Sequence, residues 1–297
     1  MSRTTNSDGY VTLAVLLVVG LLAAIVSSLL AVSRPALGLA RLGGDEVAAE
    51  ALLDGGFTTA SFLLFGAKQE ASEVDKLVLR MRTGEIRLGV TDEGGRIDVN
   101  AADSLLLEGL YKAVGGTSLS AQAFANRVVD WRDEDSDLNQ DGAEAADYTD
   151  ADLDYVPSNL PFHSVEEVRF ILGLSPRDFD LLEPFLTVFS GIGRIDPLSA
   201  SDTVLRAIPG AGRRELQRLQ QARRAGQARA RLAELLPEIS AYLLDQSSGV
   251  FRVRVDVDLT NGFSESAEAV IIAPQPDGSA DYRTVAWSRL AADAQSQ

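Results

Sequence analysis

The sequence contains no cysteine and only one histidine, His163. Without cysteine it has no disulfide framework, no thiolate metal site and no cysteine nucleophile. One histidine cannot build a histidine-rich metal site. The sequence also lacks the G-x-S-x-G pattern of serine hydrolases and the phosphate-binding loop of nucleotide hydrolases. These absences remove the usual sequence evidence for catalysis, so we predict a protein that is not an enzyme.

Basic residues are scarce relative to acidic ones. The chain has 27 Lys and Arg against 43 Asp and Glu, which gives a net charge of −16 and a pI near 4.5. Such a charge repels nucleic acid phosphates and anionic lipid surfaces, so we expect no nucleic acid partner. The hydrophobic share of 46% over 297 residues is enough for a packed core.

One long apolar run lies near the N-terminus. It extends from Tyr10 to Ser33 without a charge, and it exceeds the roughly 20 residues that an apolar helix needs to cross a bilayer. A secretory signal peptide usually has a shorter apolar region followed by a cleavage site. We therefore predict a transmembrane helix over 10–33, preceded by a leader at 1–9.

The junction between the polar leader MSRTTNSDG and this run resembles the class III leader of type IV pilins and type II secretion pseudopilins. The resemblance implies that a prepilin peptidase cuts between Gly9 and Tyr10 and methylates the new N-terminus. Most members have glutamate as the fifth mature residue, where this chain has Ala14. The family's buried ion pair is then missing, which favours the tip of a filament over its body. A plain signal anchor is the alternative.

Strand patterns flank a long helical block. Helical patterns continue after the span, with Leu37, Leu39, Leu42, Val47, Ala51 and Leu52 predicted as an apolar face. Short strands follow before Asn100, and the alternating segment Phe251 to Leu259 opens a second group of strands. We predict an α+β fold whose antiparallel sheet is interrupted by an insertion. The predicted segments after the span are 34–100 (anchor helix continuation and first strands), 101–243 (inserted α-helical domain) and 244–297 (C-terminal strands).

The helical block carries a weak repeat with a spacing of about 37 residues, from Ser164 and from Ser201. Both copies read as helix, tight turn, helix, and we predict hairpins over 164–188 and 201–236. Ser164 and Glu167 form a predicted capping box, and Ser175 is a predicted N-cap before a proline. Segments that begin at Ile97-Asp98 and Ile195-Asp196 each look like the opening of a small helical unit.

The order of these features resembles the K-type minor pseudopilin of bacterial type II secretion. The features are the helical insertion, the acidic run from Asp130, the segment Asn159-Leu-Pro-Phe-His-Ser and the paired hairpins. The resemblance implies a pseudopilin sheet with an insertion of two hairpin (SAM-like) units, anchored in the inner membrane and facing the periplasm. It also implies partners: other minor pseudopilins at the filament tip, the major pseudopilin and the prepilin peptidase. Secreted cargo or the outer-membrane secretin are further expected contacts. A minor pilin of a type IV pilus and an anchored periplasmic enzyme are the alternatives.

The segment from Asp130 to Asp154 contains eleven acidic residues and the pattern D-x-N-x-D-G that opens a calcium loop. Calcium takes six to eight hard oxygen ligands, which alternate side chains and a glycine turn can supply. The twelfth position, usually glutamate, is Tyr148. K-type pseudopilins bind calcium in this region, which supports the assignment, and a disordered acidic loop over 130–154 is the alternative. The predicted calcium ligands are Asp133, Asp135, Asp137, Asn139, Asp141, Ala143 and Asp147.

The second hairpin is followed by an arginine-rich helix and resembles a helix-hairpin-helix, a motif whose backbone amides grip a phosphate in DNA-binding proteins. A membrane-tethered DNA-binding protein is therefore a further alternative. We favour a packing unit, with arginines that pair with the acidic segment or with a partner pseudopilin.

Overall fold

The computed structural model describes residues 8–273 and 282–290. Most of the predicted leader, at residues 1–7, lies outside the described residues, and so do 274–281 and 291–297 of the predicted C-terminal strands. Gly9 and Tyr10 belong to the first turn of helix α1.

Helix α1 (Asp8–Ser61) is one continuous helix of 54 residues, and its last turn widens into a π-helix at Phe62–Gly66. At about 1.5 Å per residue it is roughly 80 Å long. Its stretch Val15–Ala24 is apolar and exposed. Among the described residues, Gly44–Gly66 also has the length and composition of a membrane span, but 44% of it is buried inside the protein. We read that second segment as a core helix.

The C-terminal third of α1 lies on one face of the sheet. Leu53 and Phe57 are buried there with Ala49 and Ala60. The predicted apolar face is confirmed at Leu52 and wrong at Val47 and Ala51, which are exposed. The side chains of Leu37, Leu39 and Leu42 lie outside the described part of the chain. A helix that continues an apolar anchor has apolar residues on several faces, so its periodicity does not single out the buried one.

The main sheet has five antiparallel strands in the order β1-β2-β5-β6-β7. Alternate residues of β5 are buried from Phe251 onwards, as the alternation of apolar and charged residues predicts. Asn261 and Gly262 form the turn between β5 and β6. The strand bounds are β1 (Val78–Arg80), β2 (Gly84–Asp92), β5 (Val250–Leu259), β6 (Ser264–Ile272) and β7 (Arg283–Leu290).

The central strands β2 and β5 are neighbours, with Asp92 opposite Phe251, although the intervening segment lies between them in sequence. That segment has its own hydrophobic core, separate from the core between α1 and the sheet. It contains a two-stranded parallel sheet of β3 (Ile97–Asp98) and β4 (Leu186–Thr187). The short helix α2 (Ala71–Val74) lies before β1. The α-helices of the insertion are α3 (Ser104–Val114), α4 (Ala121–Arg132), α5 (Ala145–Asp150), α6 (Pro176–Leu182), α7 (Asp202–Ala207), α8 (Arg213–Arg224) and α9 (Arg229–Leu235). Its 3-10 turns are Glu93–Gly95, Val165–Phe170, Glu183–Phe185 and Ser240–Tyr242.

Two units of this segment open in the same way. Ile97 pairs in parallel with Leu186, and Ile195 forms a parallel bridge with Leu243. The aspartate after each isoleucine is buried and accepts the backbone N–H two residues later, at 2.8 Å from Asn100 and 3.1 Å from Leu198. A capped helix follows each turn, α3 after Asp103 and α7 after Ser201. The two Ile-Asp segments therefore open equivalent units, as the sequence predicts.

The two hairpins share a turn but differ in their first helices. Gly173 and Gly210 occupy equivalent places in the repeat and both have left-handed backbone, with φ of 76° and 82°, a conformation that glycine adopts without steric cost. Ser175 caps α6 as predicted, accepting the N–H of Asp178 at 3.1 Å.

The predicted α-helix and capping box at Ser164 are wrong. The segment Val165–Phe170 is a 3-10 helix, and the Ser164 side chain makes no capping hydrogen bond. Glu167 instead accepts the backbone N–H of His163 at 3.2 Å. Only six residues separate Ser164 from Ile171, and i to i+3 bonds close that short span, as from Ile171 N to Val168 O at 3.1 Å.

Candidate functional site

The acidic segment is fastened to helix α4 by a buried carboxylate. Asp130 is fully buried and accepts the backbone N–H of Ala143 at 2.8 Å and a hydrogen bond from the Asn139 amide. A Cβ at Gly142 would come within 1.8 Å of an Asp130 oxygen, so this position requires glycine. Asn126 also donates to the carbonyl of Gln140 at 2.7 Å. The segment that carries the D-x-N-x-D-G pattern therefore packs against α4.

The predicted calcium ligands lie in different surroundings within this loop. Asp135 accepts the N–H of Asp137 at 2.9 Å, and both are exposed, as is Asp141. Asp147 accepts the N–H of Glu144 at 2.8 Å and so caps helix α5. Asn139 directs its amide nitrogen at Asp130, and the side chain of Ala143 is buried. Among the described residues, no three acidic or histidine side chains stand in an arrangement ready to hold a metal ion.

Two buried carboxylate oxygens in this segment have no hydrogen-bond partner in the described part of the chain, Oδ1 of Asp133 and Oε1 of Glu144. Burial raises the pKa of Asp133, and the charges of Asp135 and Asp130 raise it further. Burial also raises the pKa of Glu144, followed by the charges of Asp130, Asp133 and Asp135. The carboxylates thus repel one another at neutral pH, and two of their oxygens are free to accept a ligand. Sequence reasoning missed Glu144, which the spacing of the calcium pattern does not select.

A buried ionic cluster joins the insertion to the rest of the molecule, and the sequence analysis did not predict it. Arg229 of α9 donates to Asp196 from Nε at 2.8 Å and from Nη2 at 3.2 Å, and Nη2 lies 3.6 Å from Asp92 at the end of β2. Arg229 also pairs with Glu70, just before α2. Burial lowers the pKa of Arg229, but hydrogen bonds and charge from Asp196 and Glu70 raise it overall.

A second ionic contact lies beside the first. Arg252 of β5 donates to Glu93 at 2.6 Å and to Glu268 of β6 at 2.5 Å. The other oxygen of Glu93 accepts the hydroxyl hydrogen bond of Thr187, which belongs to β4 of the insertion. Asp92 takes part in the first cluster and Glu93 in the second. These two neighbouring residues lie where strand β2 ends and the insertion begins. The junction is therefore held by oriented charge pairs as well as by the covalent chain.

The insertion stands at the end of α1 that is farthest from the apolar stretch Val15–Ala24. Near the other end of the sheet, the Asn261 amide donates to Asp45 at 2.8 Å. At the insertion end, Phe65 packs on Phe251 with ring centroids 5.6 Å apart. Strand β2 leaves for the insertion at this second end, and β5 returns there. The molecule therefore carries its apolar helix at one end and its bulky insertion at the other.

Comparisons with known proteins agree with this architecture. The family model described as type II secretion system (T2SS), protein K, matches residues 85–191. A comparison with curated proteins found no match. One chain of the crystal structure of the GspK-GspI-GspJ complex from the enterotoxigenic Escherichia coli type 2 secretion system is similar in fold. The TM-score is 0.57 at 16% identity, covering 88% of this chain and 99% of that chain.

The matched segment begins in β2 and extends through the first unit of the insertion to just beyond β4, so it includes the acidic segment and the buried Asp98 turn. The fold likeness extends over most of the remainder. Residues 85–191 thus match the protein K family of the type II secretion system, and most of the chain shares the fold of a chain of the GspK-GspI-GspJ complex.

Proposed function

We propose that this chain is a minor pseudopilin of the type II secretion system that occupies the tip of the pseudopilus, where it initiates or caps assembly with other minor pseudopilins for export of folded proteins. The observation that carries the proposal is the placement of the insertion at the end of α1 opposite the apolar stretch. Subunits that stack through their α1 helices leave no room above such an insertion, so the molecule fits where nothing follows it. The neighbour's GspK-GspI-GspJ complex supports minor pseudopilin partners.

The exposed apolar side chains of Val15–Ala24 support membrane anchoring and lateral packing against sister helices, because lipid and apolar helices are both favourable surroundings for them. We place the anchor in the bacterial inner membrane with the sheet and insertion in the periplasm. The protein then acts mechanically, without catalysis. The major pseudopilin, the secretin and secreted cargo are further proposed contacts.

Replacing residues 93–249 by a short Asn-Gly turn tests the tip assignment. Asp92 and Phe251 are direct partners in the sheet, so β2 and β5 can close into a hairpin and the α1 core is retained. We expect the shortened protein to reach the membrane but secretion to fall to the level of a strain without it. Secretion of a periplasmic substrate into the medium is the measurement, with protease resistance of the sheet as the folding control. Normal secretion by the folded, shortened protein would contradict the proposal.

We propose further that prepilin peptidase cuts between Gly9 and Tyr10. The polar leader and the apolar stretch that follows it support this position. Mass spectrometry of protein isolated from membranes that contain the peptidase should give a mature chain that begins with N-methylated Tyr10. In a Gly9→Val variant a bulkier side chain replaces the small residue before the cut. The peptidase should then fail to cleave, and the variant should keep its leader. A wild-type protein that begins at Met1 would refute the assignment.

We also propose that the acidic segment binds calcium. The two buried, unpaired oxygens of Asp133 and Glu144 fit a hard cation, and Asp135, Asp137, Asn139, Asp141 and the Ala143 carbonyl are nearby oxygen donors in the sequence. A bound calcium ion would supply the positive charge that offsets repulsion among these carboxylates. Asp147 is already committed to the cap of α5, so we assign it a supporting role.

A further inference from the structure

The solvent-facing side of α8 carries arginine and glutamine and no acidic residue. At 100° per residue its exposed positions fall within an arc of about 140°. These exposed residues are Arg213, Arg214, Gln217, Arg218, Gln221 and Arg224. We call this set the arginine face. The opposite side is anchored in the insertion core through Leu219.

The arginines at the N-terminal end of the arginine face destabilise α8, whereas Arg224 in the last turn has a favourable interaction with the macrodipole. Arg213 and Arg214 stand in the first turn, where positive charge opposes the helix macrodipole. Arg214 and Arg218 are four residues apart, a spacing at which like charges repel. Glu215 is the acidic residue of that turn. Helix stability therefore does not explain this arrangement.

The arginines of this face have no partner inside the described part of the chain. No hydrogen bond or ion pair there involves Arg213, Arg214, Arg218 or Arg224, although the whole chain has a charge of −16. The expected pairing with the acidic segment does not occur within the described residues. Four adjacent guanidinium groups thus remain available to carboxylates from outside.

A cavity lies next to the start of α8, and its lining includes Gly212, the residue before Arg213. It has a volume of about 520 Å³ and lies between α3 and the turn from α7 to α8, ending at Gly212. Leu105 lines it with 56% of its surface exposed, and Arg206 stands at its edge. Glu108 also lines it, and its carboxylate pairs with Lys112. Arg206 and the exposed Leu105 therefore place basic and apolar groups in one cavity, which suits an acidic segment that also carries an apolar side chain.

The hairpin before α8 is poorly suited to a phosphate. The N–H groups of Ala211 and Gly212 are already used, at 3.0 Å to Ile208 O and 2.9 Å to Gly210 O. A carboxylate oxygen of Glu215 lies 2.8 Å from where a Cβ of Gly212 would be. Negative charge thus occupies the helix start that a nucleic acid phosphate would need. The face is also at the end of the molecule away from the apolar anchor, which argues against the anchoring membrane as its ligand.

We propose that the arginine face and the adjoining cavity form a docking surface for an acidic segment of a partner protein. Carboxylates spaced at helical turns would pair with Arg214 and Arg218, since guanidinium groups bind carboxylates through paired hydrogen bonds. An apolar side chain of the same segment would rest on Leu105. This surface is separate from the α1 packing of the proposed function.

Fluorescence anisotropy tests the surface with full-length protein in a neutral detergent. The probe is a labelled synthetic peptide with glutamate at every fourth position and one leucine near its end. Reversing two charges in Arg214→Glu/Arg218→Glu should raise the peptide's dissociation constant by about tenfold or more. The matched control, Arg82→Glu/Arg194→Glu, changes two exposed arginines elsewhere and should shift it by less than about twofold. Leu105→Ser should weaken binding with no change in its salt dependence.

Four results would overturn the proposal. The first is that the peptide does not bind, and the second is that both double variants lose the same amount of peptide affinity. The third is that a short duplex DNA binds more tightly than the peptide at the same salt concentration. The fourth is that the protein self-associates and that Arg214→Glu/Arg218→Glu abolishes this self-association. The last result would identify the occupant as a second copy of this chain. Arg214→Gln/Arg218→Gln provides a variant without charge reversal, and its unchanged thermal unfolding would show that any lost binding reflects the lost charges.

Discussion

Single side chains of this molecule stabilise both local turns and contacts between distant segments. Ser175 needs only its neighbours to cap α6, and Asp98 makes its first hydrogen bond two residues away. Arg229, by contrast, meets Asp196 at a separation of 33 positions and Glu70 at 159. No local periodicity encodes such pairs, because only the folded chain brings them together.

The unpaired Oε1 of Glu144 gives a prediction for calcium and pH. Burial raises its folded-state pKa, so ionisation opposes folding, and the penalty grows as pH rises through that pKa. In chelator at pH 7, Glu144→Gln should therefore raise the melting temperature by about 2 to 4 °C. This gain should disappear at acidic pH, where Glu144 is protonated. Millimolar calcium should stabilise the wild type and should stabilise the variant less.

Differential scanning fluorimetry and terbium luminescence excited through Trp131 measure the two effects independently. Trp131 is buried beside Asp130, so a lanthanide in this segment would be close to the indole. Glu134→Gln, which removes an exposed charge of the same loop, is the matched control. Equal melting temperatures in calcium and chelator for the wild type would reject the metal site.

At the element scale, prediction succeeded where burial follows a strict period. Strand β5 alternates because one face of it packs on α1. Helix α1 has no such signal, and contact with the sheet decides which of its faces is buried. The segment at Val165–Phe170 has a helical composition, but its length fits a tighter turn. The buried residues that share the insertion core range from Ile97 to Leu243, and the domain bounds 101–243 stay a prediction.

The fastening of α9 to the sheet can be tested through Arg229. Arg229→Met leaves Asp196 and Asp92 buried without their cation, and loss of one partner of a buried ion pair costs about 3 to 5 kcal/mol. Burial, and then the charge of Asp196, already raises the pKa of Asp92. The loss should therefore be largest at neutral pH and shrink as the medium becomes acidic and Asp92 takes up a proton.

Thermal unfolding at several pH values measures this loss. Arg231→Met lies two residues further along α9, where Arg231 makes an exposed pair with Glu234, and should change stability by less than about 1 kcal/mol. A loss that is the same at every pH would mean that packing of the arginine stem, not its charge, holds the junction.

At the scale of the whole molecule, the sequence indicated an insertion but not where it stands. Strands on both sides of a helical block point to an interrupted sheet. The position of the block depends on the long-range register of β2 with β5, which brings Asp92 opposite Phe251. Because of that register, the sheet lies between the apolar stretch Val15–Ala24 of α1 and the charged insertion. The arginine face then lies on a part of the molecule that the anchor does not cover.

The same register fixes the order in which the protein can be completed as it folds. Glu93 and Arg252 contact each other across 159 positions, so β2 lacks its central neighbour until the whole insertion and β5 have reached the compartment in which the protein folds. The insertion, with a core of its own, can fold first and hold the two ends of the gap together, which lowers the entropic cost of closing it. A chain that ends before β5 would then contain a folded insertion beside a sheet that lacks its central strand.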